Sequence, residues 1–161
     1  MALFRRKASE PDNSEHTPTP SVELDDDGLT ATPVQPLRQQ ERSHLAKHLN
    51  ALAAEGVDIE DLASLSQGLD ESYTRWARER DHDHSQIVER YAVGIGEHLS
   101  RATDLRWALV TDVFGTDLGL VEGPQATFMV VPNNLVGARW MRGETGWVPA
   151  VVGHLVRRRS R

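Results

Sequence analysis

His44 and His48 stand one helical turn apart in the stretch Ser43-His-Leu-Ala-Lys-His48. Two imidazoles at that spacing can share a metal ion on one helix face. A metallopeptidase helix carries Glu directly after the first of them, and here that position is Leu45. The two histidines are therefore expected to be a surface pair. Asp81-His82-Asp83-His84 also has metal-ligand side chains. Neighbouring ligands in a polar connection rarely close on one ion, and structural zinc wants four convergent ligands in separated pairs. With no Cys in the chain, no metal site and no cofactor is expected.

Glu97 and His98, with Asp112 and Asp117 near turn signals, offer an acid and a base, provided a pocket brings them together. Glu97, His98 and Asp112 thus define one alternative, a small enzyme or ligand-binding domain. The competing structural reading has Glu97 satisfying backbone or Arg groups where a helix meets a sheet, and Asp112 shaping a turn. The structural reading is the one expected. Ser64, Ser66, Ser72, Ser85 and Ser100 have no nucleophile elbow around them. Gly94-Ile-Gly96 follows no strand, and Leu99 occupies the third glycine position of a dinucleotide fingerprint.

Arg139, Trp140, Arg142 and Trp147, with the Arg157–Arg161 tail, form the basic–aromatic cluster of the chain. Stacking plus phosphate contact would suit single-stranded nucleic acid. The net charge of −6 opposes that use, because a phosphate backbone is met by a positive field. Trp and Arg are also enriched among the residues that dominate protein interfaces. The four are accordingly expected to bind a protein partner, and the pair Trp140 and Trp147 to be replaceable without loss of the fold. Tryptophans covering a sheet edge are the competing explanation.

The elements that must position these residues follow from patterning. Residues 1–35 carry three basic and seven acidic side chains, four prolines and the run Asp25-Asp26-Asp27, and read as a disordered acidic tail. Leu3-Phe-Arg-Arg-Lys7 could touch an anionic membrane but is too short to anchor alone. No apolar segment follows it as in a secretory leader, and no run approaches the ~20 residues of a membrane span. A cytoplasmic protein is expected.

Pro36 opens a helix with Leu45, Leu49, Leu52 and Ala53 on one stripe, ended by Gly56. Asp58 is the expected cap of a second, with Leu62, Leu65, Leu69, Tyr73 and Trp76 on its stripe. The short connection suggests an antiparallel helical hairpin over 36–81. Residues 82–161 read as a small α+β domain. A helix capped by Ser85 presents a wide apolar face, in which Gly94 and Gly96 mark a close contact with a strand or neighbouring helix. Leu105–Val110, Leu118–Val121 and Ala126–Val131 then form a three-stranded antiparallel meander. Leu105, Trp107 and Leu109 point to one face, and Arg106, Ala108 and Val110 to the other. Two C-terminal helices follow, one to about Met141 and one over Val148–Arg157.

Gly94-Ile-Gly-Glu97-x-Leu99, Leu105-x-Trp107, Asp112-x-Phe-Gly115-x-Asp117-Leu118, Val131-Pro132-x-Asn134-x-Val136 and Gly143-Glu144 occur in this order. Together they resemble the bacterial domain-of-unknown-function family 3806, over roughly the last half of the chain. Ala138-Arg139 departs from the more basic pair of that pattern. The resemblance implies a small α+β domain and no established activity, and no catalytic residue is carried over. The sequence thus points to a non-enzymatic protein-interaction module with an unidentified protein partner. An apolar edge strand could also pair with a second copy as a homodimer. Peripheral membrane or nucleic-acid contact through the basic termini is the further alternative.

Overall fold

Six consecutive residues, Tyr91 to Gly96, are buried on one helix, so the middle of that helix is covered on every side. The computed structural model describes residues 33–80 and 82–160. The buried helix is α3, Ser85–Ala102. Before it come a short strand β1 (Val34–Gln35) and helices α1 (Gln39–Ala54) and α2 (Leu62–Glu79). After it come strands β2 (Arg106–Asp112), β3 (Gly115–Val121) and β4 (Met129–Val130), then helices α4 (Pro132–Met141) and α5 (Val148–Arg159). The α+β class and the helix order agree with the sequence reading.

The two glycines of α3 do what their spacing suggests. A Cβ on Gly94 would lie 2.6 Å from Leu52 Cδ1 and 3.1 Å from Leu65 Cδ2, so α1 and α2 both press leucines against bare backbone there. Two positions on, about 200° around the helix, a Cβ on Gly96 would collide with the ring edge of Trp107 and with Pro132 Cγ. Helices lie against one face of α3 and the sheet against the other. Leu52, Leu65, Leu69, Tyr91, Ile95, Leu99, Leu120, Val136, Trp140 and Val152 belong to one continuous core.

Two expectations are corrected by this packing. α1 packs chiefly on α3, and α2 on α5 and α3, so the helices within 36–81 share one core with the segment that follows. The described residues fall in one compact unit, and the connection near residue 81 joins helices of one core. The cap of α2 also moves. Asp61 takes it, accepting from the Ala63 amide at 2.9 Å, while Asp58 accepts from Glu60 N in the preceding turn.

The sheet has four antiparallel strands in the order β1-β2-β3-β4, where three were expected. Val34 pairs with Val110 and Gln35 with Leu109, and Thr111 N donates to the Pro33 carbonyl at 3.1 Å. The expected tail therefore ends before residue 33, and residues 1–32 lie outside the described residues. The third strand of the meander shrinks to Met129–Val130. The alternation of β2 holds. Trp107 faces α3, while Ala108 and Val110 join Val121 in a second small cluster on the opposite face.

This geometry separates two similar substitutions. Gly96→Ala gains helix propensity of ~1 kcal/mol but drives a methyl into Trp107, and overpacking of that kind costs about 1–3 kcal/mol. Gly137 of α4 has its nearest neighbour, Val88 Cγ1, at an ordinary 3.7 Å. Urea denaturation should show Gly96→Ala destabilised and Gly137→Ala neutral or stabilised by up to ~1 kcal/mol.

Candidate functional site

Where the far end of the sheet leaves α3, a cleft of about 210 Å³ opens between them. Trp107, Leu109 and Leu118 form its sheet wall, Glu89, Ala92 and Val93 its helix wall, and Pro132 and Asn133 one end. Glu89 lies at the junction of this cleft with α1. Its carboxylate accepts from or pairs with two imidazoles: Oε1 is 2.9 Å from His44 Nε2, and Oε2 is 3.5 Å from His48 Nε2. His48 is only 6% exposed. The expected surface pair is therefore corrected, because helical spacing aims both rings at α3 and α3 answers with an acid. Burial, followed by the neighbouring His44, holds the His48 ring below its ordinary pKa of 6.5.

The other candidate residues are dispersed. Glu97 accepts from Trp107 Nε1 at 3.0 Å and from Arg101 Nε at 2.8 Å. Arg101 in turn reaches Glu60 at 2.5 Å. His98, buried, uses Nδ1 to meet the Ile59 carbonyl at 2.8 Å. Asp112 sits at the hairpin tip and accepts from Phe114 N at 2.8 Å. Glu97, His98 and Asp112 are thus engaged at a helix–sheet junction, a helix–loop contact and a turn. In the Asp81–His84 stretch, Asp83 accepts from Ser85 N and Oγ, and the His84 ring stacks on Trp140 at 6.0 Å. Residue 81 lies outside the described residues.

Chain comparison adds no relative. No protein-family model, curated protein or solved structure matches this chain.

The basic–aromatic cluster turns inward. Trp140 and Trp147 are 4% and 8% exposed and belong to the main core. Trp140 meets Tyr73 edge-on at 5.0 Å and Trp76 at 5.5 Å. Arg139 lies over the Trp147 ring, 4.7 Å from its centroid, and Arg142 pairs with Glu144. The expectation that Trp140 and Trp147 present an aromatic surface is corrected: α4 and α5 use them to close against α2. At the C-terminus Arg159 pairs with Glu122 and lies over Phe128. The basic segment at Arg5–Lys7 lies outside the described residues. Among the described residues no helix is long and apolar enough to cross a membrane.

The most exposed large apolar side chains among the described residues are a neighbouring pair, ahead of Met141 on α4. Val113 and Phe114, the two residues of the β2–β3 turn, are 92% and 93% exposed.

Removing either buried tryptophan should cost folding rather than binding. Trp140→Ala should lose about 3–5 kcal/mol in denaturant unfolding, as large-to-small core changes do. Nearby, Asp70 of α2 accepts from the Gly146 amide at 3.0 Å, and burial pushes its carboxyl above the ordinary 3.8. A raised folded pKa means that its contribution to stability is present below pH 3.8 and is lost as pH climbs through the raised value. Asp70→Asn keeps an acceptor for Gly146. It should melt above the wild type at neutral pH, with the gap narrowing as pH falls toward 3.8; a lower melting point at neutral pH would contradict this.

Proposed function

We propose that this chain is a non-enzymatic protein-interaction module whose contact is the tip of the β2–β3 hairpin. The supporting observation is the near-complete exposure of Val113 and Phe114 on an ordered turn. Asp112 fixes that turn through the Phe114 amide, and the Thr111 and Thr116 hydroxyls join across the strands at 2.8 Å. Transfer of such side chains into a partner's pocket stabilises a complex by about 1.5–3 kcal/mol each. A preformed turn also spares the ordering cost of a loose loop. Asp112 and Asp117 flank the tip, so the pocket it fits is apolar with a basic rim. The engagement of Glu97, His98 and Asp112 in separate structural bonds favours this reading over an enzyme built on them. The likeness to family 3806 and a cytoplasmic setting belong to the same proposal and rest on the sequence alone.

A photo-crosslinking amino acid placed at Phe114, in the cells the chain comes from, tests the assignment. One discrete adduct is expected, absent when the same group replaces exposed Gln125. A self-adduct would identify a second copy as the partner. No adduct from position 114, or the same adduct from 125, would overturn the hairpin as the contact.

A further inference from the structure

We propose that His44, His48 and Glu89 form a binding site for one divalent transition ion of the zinc class, tying α1 to α3. The three side chains converge from two helices, and their ligand atoms all lie within 4.8 Å of one another. Tetrahedral zinc with bonds of 2.0–2.1 Å separates its ligands by roughly 3.3 Å. The carboxylate oxygens stand 2.9 and 3.5 Å from the two Nε2 atoms, on either side of that edge. Small rotations of three side chains would complete the geometry.

An ordinary ion pair does not explain the arrangement. One histidine satisfies the Glu89 hydrogen bond at 2.9 Å. The second is buried, and its Nε2 approaches the other carboxylate oxygen at a distance too long for a good hydrogen bond. Two rings 4.6 Å apart and edge-on, both turned to one acid, are what a shared cation organises. The nearby Arg90 is drawn away by its pair with Glu55. The donor set also selects the ion. Two imidazoles and a carboxylate suit zinc and its first-row neighbours, whereas magnesium and calcium want oxygen ligands. Three protein ligands leave a fourth position for water or another donor. Glu89 also lines the cleft beneath the sheet.

The test is calorimetric titration of the full chain, free of any affinity tag, with Zn²⁺ alone at neutral pH. Co²⁺ absorption on the same sample provides the second readout. One ion per chain is expected, with the intense visible bands of four-coordinate cobalt and a melting temperature that rises with zinc concentration. Glu89→Gln and the half-exposed His44→Ala should each bind at least tenfold more weakly while keeping the wild-type circular dichroism. Absence of saturable binding by the wild type overturns the site. So does a six-coordinate cobalt spectrum, or affinity unchanged in either variant, which would place the ion elsewhere.

Discussion

The packing of bare backbone on opposite sides of α3 is the constraint on which the rest of the molecule depends. Through its middle, Tyr91 to Gly96, α3 is buried all round, so there its neighbours must be fixed by shape. Gly94 and Gly96 provide two notches about 200° apart, one receiving Leu52 and Leu65, the other Trp107. Interiors packed at crystal density transmit such constraints, because a displaced side chain has nowhere else to go. The tryptophan notch sets the height of the sheet above the helix. The leucine notch draws α1 and α2 onto α3 rather than onto each other.

Polar groups around the rim of this core fix register where packing alone would permit sliding. Trp107 donates to Glu97, Glu97 holds Arg101, and Arg101 reaches Glu60 in the α1–α2 connection. One chain of contacts thereby joins sheet, central helix and loop. His98 to Ile59 adds a second tie at the same corner. Exposed ion pairs contribute little individually. The indole and imidazole members are partly or fully buried, and directional bonds to such groups discriminate strongly between alternative packings. On the neighbouring side of α3, Glu89 faces both His44 and His48.

Legibility in the sequence followed the range of the interaction. The close contact at Gly94 and Gly96, the turn role of Asp112, the junction role of Glu97 and the two faces of β2 are local, and residue type plus period reveals them. Strand β1 has two residues and therefore no period to read. Glu89 is a solvent-facing position of an amphipathic helix until α1 is docked, so nothing in its own neighbourhood pairs it with two histidines far upstream. Trp140 and Trp147 show a different difficulty. An aromatic beside arginines has the same composition whether it serves an interface or a core, and here Arg139 lies over Trp147 as the lid of a core. Val113 and Phe114 fall in the turn that Asp112 and Gly115 mark in the sequence, but residue type alone does not say that both side chains stand clear of the fold.

Strand β1 gives the fold a kinetic hierarchy. Its ladder to Val110 and Leu109 joins chain segments separated by three helices. Closing so long a loop has an entropic cost, and two paired residues return little. Contacts of this kind form after the segments between them have docked. β1 covers the outer edge of β2, whose backbone groups there would otherwise be free to pair with another chain.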